Sequence, residues 1–419
     1  MTQASWLLIA RLCLTNLAIG GLAALPVNLF NRLMTVELAL PALLPGLLVA
    51  LHYAVQISRP VWGHRSDAKG GRTPFILGGV ACVGIALVMT AWGIAAAPSY
   101  GVALTVWIAA YALIGFGIGA AGTSFLALLA TAARADNRMG AAATLAWLML
   151  IFGAVVASIG TGMALKPYSP ERLMLVVPVV AVIALALTVF SIWGVERRLG
   201  AVPAPSQPQF AQALRETWND PAARAFTGFV FLSILAYYLS ELVLEPFAGH
   251  VHGLSPDEST QLSGGKDGAA LIGMLAAGGL SYANLGSLRV WAFAGCIISA
   301  IGLFGLGLGM AVVPFTLILG LGNGLFVVGA VGSMMRLAAK KSGATGTRMG
   351  VFGAAQAIAA GLAGLIATGT VDIARVFLPI QTAYGAVFAL EAVLFLSAAV
   401  VALRLLDGQR PGPHLQPGE

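Results

Sequence analysis

Apolar positions in this chain come as continuous runs rather than in strand-like alternation. A run of about 20 such residues crosses the hydrocarbon core of a bilayer. Such runs lie near 7–30, 43–62, 75–97, 102–130, 139–165, 173–194, 224–244, 268–284, 289–311, 313–335, 349–370 and 379–404. Lipid offers the backbone no hydrogen-bonding partner, so a spanning segment is a helix or part of a closed barrel, and continuous runs favour helices. The pattern predicts an all-α polytopic membrane protein with twelve transmembrane helices. The first run lacks a basic flank and a small-residue cleavage site, so no cleavable signal peptide is expected.

The longest polar interruption is VERRLGAVPAPSQPQFAQALRETWNDPAARA, from 195 to 225, with a Pro-rich centre. It divides the chain into an N-terminal six-helix bundle (1–195), a linker (196–223), a C-terminal six-helix bundle (224–405) and a tail (406–419). Internal similarity supports two related halves. DNRMGAAATLAWLMLIFGAVVASIGTG from 136 resembles GTRMGVFGAAQAIAAGLAGLIATG from 346, aligning Arg138-Met139-Gly140 with Arg348-Met349-Gly350 at an offset of 210. At an offset of 208, Glu37 falls on Glu245, each ending the first helix of its half. Two matches on corresponding elements argue for duplication.

Composition agrees with a lipid environment. The chain is 59% hydrophobic and 9% charged, against about 25% charged in soluble domains. Most of its 23 Lys and Arg fall in the even-to-odd loops, the linker and the tail. The positive-inside rule then places both termini in the cytoplasm. Arg32, Lys166, Arg172, Lys266 and Arg375 fall on the opposite side, and Arg11 lies within the first helix. The net charge of +7 reflects this bias, suits anionic membrane lipid and implies no nucleic-acid partner. Cys13, Cys82 and Cys296 occupy separate apolar runs without metal-ligand spacing and read as buried small residues. Glycine supplies 52 residues, about one in eight against a usual 7%, which suits close helix approach.

Ionisable groups in or beside membrane helices are costly and mark candidate sites. His52 lies mid-way along the second helix, where an imidazole could ligate the magnesium of a chlorin, relay a proton or hydrogen-bond a neighbouring helix. Glu391 stands alone in the twelfth helix. Asn31, Arg32 and Glu37 close the first helix, while Glu241 and Glu245 close the seventh, one turn apart on the same face. Arg32 is expected to pair with one of these acids, either in a polar cluster between the halves or at a solvated helix end. His250 and His252 read as loop residues beyond the helix. The chain has no P-loop, HExxH or Cys-based metal motif, Asp-rich prenyl-diphosphate motif or nucleophile elbow. No enzyme and no metal site of these kinds are expected, the magnesium of a chlorin at His52 excepted.

Gly63, Asp67, Gly70 and Arg72 of GHRSDAKGGRTP (63–74) resemble the Gly-x-x-x-Asp-x-x-Gly-x-Arg loop of the major facilitator superfamily. With Arg65, they would form a cytoplasmic latch between the halves. Ala68 and Gly71 replace its usual basic residues, and the counterpart GLSYANLGSLR has Ala283 in place of the acid.

FNRLMTVELALPALLPGLLVALHYAVQISRPVWGHRSD (30–67), LVLEPFAGHVHGLSPDEST (242–260) and RMGVFGAAQAIAAGLAGLI (348–366) resemble the PucC/LhaA family of phototrophic bacteria, a branch of the major facilitator fold. The NRxMxVEL, LHY, GxRSD, LEPF and GAxQA strings occur in order, and the compact length is most similar to the branch labelled as a bacteriochlorophyll synthase chain. The resemblance implies a light-harvesting assembly factor that takes bacteriochlorophyll or a late precursor as ligand; the alternatives are a proton-coupled secondary transporter using Glu37, Glu245 or Glu391 and a pigment-free chaperone of a membrane-bound pigment enzyme. The partners implied by the resemblance are bacteriochlorophyll synthase, geranylgeranyl reductase and light-harvesting or reaction-centre polypeptides, in an inner or intracytoplasmic membrane. The family strings implicate Asn31, Arg32, Glu37, His52, Tyr53, Arg65, Asp67, Glu245, Pro246, Phe247 and Gln356, with Glu241 standing where relatives tend to carry Asp.

Overall fold

A computed structural model describes residues 5–59, 62, 71–133, 139–199, 219, 221–283, 285–339 and 345–405. These residues are helical nearly throughout, and none of them is a strand. The helices are α1 (Trp6–Leu25), α2 (Leu43–Val55), α3 (Thr73–Ala95), α4 (Tyr100–Ala132), α5 (Met139–Ala164), α6 (Pro170–Ile192), α7 (Pro221–Leu239), α8 (Leu244–His252), α9 (Pro256–Tyr282), α10 (Leu288–Gly307), α11 (Val312–Ala339), α12 (Thr345–Phe377) and α13 (Ile380–Leu405). A short helix, Val195–Leu199, follows α6. Among the described residues each apolar run is mostly helix, the seventh ending in turns at 240–243 before α8 begins.

Local chemistry sets several starts. Ser5, Ser99, Ser169 and Ser287 each accept a hydrogen bond from a first-turn backbone N–H of α1, α4, α6 and α10, which answers donors that a helix start leaves free. Beyond Leu25, α1 continues as two wider π-helical turns, Pro26–Phe30 and Leu33–Glu37. Pro26 lacks the N–H that a regular turn needs, and the Tyr111 hydroxyl donates to its carbonyl at 3.1 Å.

Among the described residues, ten helical stretches are long and apolar enough to cross a membrane, and Leu43–Ser58 forms a shorter apolar helix. The eighth helix differs from its expected range of 268–284, because α9 begins at Pro256 and takes in Asp257, Glu258, Lys266 and Asp267. Their polarity hid the first half of this helix from a hydropathy reading.

Contacts divide the chain into two compact units. One comprises Met1–Gln207, Tyr238–Gly268 and Ala357–Val387. Its interior includes Leu29, Phe30, Leu33, Leu87, Trp107 and Tyr111, with Leu242 in the same cluster. Because lipid is as apolar as these side chains, close backbone approach does much of the work of association. A Cβ at Gly20 would lie 1.9 Å from the Leu150 carbonyl oxygen, and one at Gly153 would lie 2.0 Å from that of Leu17. These glycines are what let α1 and α5 touch backbone to backbone.

The other unit comprises Pro208–Tyr237, Ala269–Gln356 and Phe388–Glu419. Here Gly295 of α10 meets the backbone of Phe326 in α11, and Ser299 donates to Asn323 Oδ1 at 2.9 Å. Phe326 stacks edge-on to Phe395 with centroids 5.7 Å apart.

Candidate functional site

The polar residues at the end of α1 meet the segment from Tyr238 to Gly268 inside the first unit. A proline explains why a site forms there. Pro246, in the first turn of α8, cannot donate to the carbonyl four residues earlier, and the seventh apolar run breaks into turns at residues 240–243. The carbonyl left over belongs to Leu242, and Asn31 Nδ2 donates to it at 2.6 Å. Asn31 is fully buried, so this bond answers two groups whose isolation would be costly.

Arg32 joins α1 to the far end of α8. It is 2% exposed, with Nη1 2.5 Å from Glu37 Oε1 and Nη2 donating to the Leu254 carbonyl at 2.5 Å. Gly249 makes room, since a Cβ there would come within 3.0 Å of Arg32 Nη2. Glu37 is 38% exposed, so one ion-pair partner is buried while the other reaches the surface. Tyr168, in the connection before α6, has its phenol pushed up to about 12, chiefly by burial and further by the Glu37 carboxylate. It therefore remains a neutral hydroxyl at physiological pH.

The break also separates Glu241 from Glu245, correcting the expectation of one shared helix face. Glu241 lies in the turn and accepts from Lys266 Nζ of α9 at 2.6 Å. Lys266 is 2% exposed and has Asp267 Oδ1 at 3.9 Å. By sequence Lys266 belongs with the loop cations, whereas in the fold it is a buried partner. Glu245, 1% exposed, receives a bond from Thr260 at 3.3 Å on Oε2, while Oε1 lacks a well-formed bond. The repeat-related Glu37 and Glu245 thus have different surroundings, and Arg32 pairs with Glu37.

Aromatic residues surround this polar region. Phe247 is buried against His252 and Tyr384, with centroids at 5.1 and 5.7 Å. His250 Nδ1 lies 2.9 Å from the Tyr384 hydroxyl. Both histidines belong to α8 rather than to a loop beyond the helix.

His52 is buried in α2, its Nε2 2.8 Å from Gln56 Nε2, leaving Nδ1 without a bond. Its ring stands edge-on to Tyr53 at 4.7 Å, and Tyr53 in turn meets Tyr238 at 6.1 Å. A Cβ on Gly115 would lie 2.4 Å from the His52 carbonyl oxygen, so α4 packs directly on this turn. Asp372 was missed in the sequence reading, yet its carboxylate accepts from the backbone N–H groups of Ala42 and Leu43 at 3.1 and 2.7 Å. An acid exposed in sequence to a helix start 330 residues away carries no local signal.

The remaining candidates lie elsewhere. Gln356 is half-buried on α12, and Glu391 is fully buried on α13. Gly63, Arg65, Asp67 and Gly70 of the latch lie outside the described residues, as do Arg138 and the centre of the linker. Arg72 donates from Nη1 to the Ala127 carbonyl and to Thr131, each at 2.7 Å. Glu196 accepts from the backbone of Arg72 and Thr73 at 2.5 and 3.1 Å. These bonds tie the start of α3 to α4 and to the short helix after α6. Met139 opens α5, and Arg348 to Gly350 fall in the first turns of α12.

The PucC protein family model matches residues 29–410, from the π-helical end of α1 to the tail. The chain belongs to the PucC family. It is 49% identical over 406 residues to a Rhodobacter capsulatus protein named bacteriochlorophyll synthase 44.5 kDa chain, covering 95% of both. It is 29% identical over 426 residues to Protein PucC of Cereibacter sphaeroides, covering 94% of this chain and 91% of the relative.

Among solved structures, this PucC-family chain is similar to a bacterial homologue of the human drug peptide transporters PepT1 and PepT2. The TM-score is 0.71 with 14% identity, covering 97% of this chain and 99% of that one. A bacterial homologue of the lysosomal transporter Spinster gives 0.72 with 15% identity, covering 98% and 99%. At that identity the likeness establishes the fold alone: an all-helical, multi-pass membrane protein of major facilitator type. The polar residues around Asn31, Arg32 and Glu245 sit on that fold in a PucC-family sequence.

Proposed function

We propose that the protein is a non-enzymatic membrane scaffold that receives bacteriochlorophyll, or a late precursor, and hands it to light-harvesting or reaction-centre polypeptides. The observation that carries this reading is the 49% identity, over 95% of both chains, to a protein whose name ties it to bacteriochlorophyll synthesis. Bacteriochlorophyll synthase and geranylgeranyl reductase are the proposed donors, in an inner or intracytoplasmic membrane with both termini cytoplasmic. The pigment is cargo. Glu245 Oε1 is a buried carboxylate oxygen of a kind that magnesium accepts, whereas His52 Nε2 accepts from the Gln56 amide, so its ring takes magnesium only where that bond is given up. Both are enclosed, so contact with a flat macrocycle requires α2 to part from α4, or α8 from α9.

Purification from a pigment-making phototroph, followed by an absorption spectrum and identification of co-purifying proteins, tests the proposal. Bacteriochlorin absorbance together with a pigment enzyme is the expected result. A colourless preparation with no such enzyme overturns it. Activity tags fused at the two ends test orientation, with a cytoplasm-dependent fluorophore expected to light at both.

A second reading rests on Glu245, a buried carboxylate that faces Thr260 and Ser263 within the helical bundle. It makes the protein a proton-coupled transporter of a small molecule, with Glu37 and Glu391 as further proton carriers. Gradient-driven uptake or efflux lost in Glu245→Gln, without loss of folded protein, would favour it over the scaffold.

A further inference from the structure

Away from the polar residues at the end of α1, a groove of about 590 Å³ opens on the flank of the first unit. It is lined by Arg11 of α1 and, along α6 and its end, by Val182, Leu185, Val189, Phe190 and Trp193. Apart from Arg11 these walls are apolar. Val182, Phe190 and Trp193 are 65%, 60% and 74% exposed, so in a membrane the groove opens sideways into lipid.

Its length and charge identify an occupant. From Val182 to Trp193, α6 advances about 16 Å at 1.5 Å per residue, close to half of the roughly 30 Å hydrocarbon core. The groove therefore runs the depth of one leaflet. At its end, Arg11 Nη2 donates to the Trp193 carbonyl at 2.6 Å, which fixes the guanidinium where α6 stops. Arg11 Nε is enclosed but has no hydrogen-bond partner. Trp193 supplies a ring of the kind that settles at headgroup level, and the exposed Arg197 and Arg198 follow it. The intervening acid, Glu196, is already engaged by Arg72 and Thr73.

We propose that this groove binds an anionic phospholipid, one acyl chain lying along α6 and the phosphate resting on Arg11. A phosphate offers acceptors to the part of the Arg11 guanidinium that lines the groove, and its charge offsets a cation held beside hydrocarbon. A zwitterionic lipid fills the same groove but supplies no net charge to Arg11, Arg197 and Arg198. The site is independent of the pigment reading.

The test uses the purified full chain, stripped of lipid and titrated with phosphatidylglycerol or phosphatidylcholine of identical acyl chains, with bound lipid counted by native mass spectrometry. Wild-type protein is expected to retain phosphatidylglycerol several-fold better. Arg11→Gln is expected to erase that preference and Arg11→Lys to keep most of it. Ala186 also lines the groove, so Ala186→Phe should lower retention of both lipids while leaving the Arg11 to Trp193 bond intact. Equal retention of the two lipids by the wild type would reduce the groove to ordinary lipid contact and overturn the proposal. So would a folded Arg11→Gln protein that keeps the preference, or an Ala186→Phe protein that binds as before.

Discussion

Pro246 and Asn31 show how one residue's missing donor gives another its role. Pro246 leaves the Leu242 carbonyl without the helical donor four residues on, and Asn31, distant in sequence, supplies it. Asn31→Ala should therefore cost about 1–3 kcal/mol, the usual penalty for a buried polar group left unpaired. Pro246→Ala in the same background restores a local N–H and should recover part of the loss. Denaturation of the two single variants and the double variant in detergent measures this, and strict additivity would show that the residues do not share a carbonyl. The buried pair of Lys266 and Glu241 behaves differently. Lys266→Met alone leaves a buried carboxylate and should cost about 3–5 kcal/mol. The Lys266→Met, Glu241→Gln, Asp267→Asn triple variant removes all three charges and should fall well short of that loss in the same assay. The sequence named Glu241 but not its partner, because Lys266 sits among Ser, Gly and Asp residues that read as loop.

At the scale of elements, the helices followed from continuous apolar runs, whereas their interruptions came from prolines. The π-helical end of α1 starts at Pro26, and the gap between α7 and α8 precedes Pro246. Those are the elements that carry Asn31, Arg32, Glu241 and Glu245. Asp372 caps the start of α2 from α12, answering two of its free N–H groups. Asp372→Asn keeps one of the two accepting oxygens and should lose part of the cap, while Asp372→Ala should lose about 0.5–2 kcal/mol, the range for a lost cap. Thermal unfolding of both variants distinguishes capping from charge. The α1 to α5 contact admits no side chain at Gly153, and Gly153→Val should abolish folded expression, read by fluorescence-detected size exclusion. Normal expression of that variant would mean the two backbones are not in contact.

For the whole molecule, the segments Tyr238–Gly268 and Ala357–Val387 pack with the first six helices in one unit. A Cβ on Gly46 would lie 3.1 Å from that of Thr368, near the 3.5–4.5 Å range of disulfides. Cysteines at both positions, with Cys13, Cys82 and Cys296 replaced by Ala, should therefore cross-link on oxidation, read as altered mobility after proteolysis between them. Absence of the cross-link would place α2 and α12 apart. If the proposed pigment cargo enters by parting this contact, its recovery should fall in the oxidised protein and return on reduction. The sequence by itself determined the helical membrane class, the twelve runs and the family strings, because apolar length and chemistry along the chain are local properties. It also singled out Asn31, Arg32, Glu37, Glu241 and Glu245. Only the tertiary structure decided that Arg32 reaches the Leu254 carbonyl, that Asn31 answers Leu242 and that Lys266 is buried against Glu241. Hydrogen bonds and ion pairs between residues tens to hundreds of positions apart depend on how the helices dock, and helix docking in lipid is set by shape and polar contact that no single run of sequence displays.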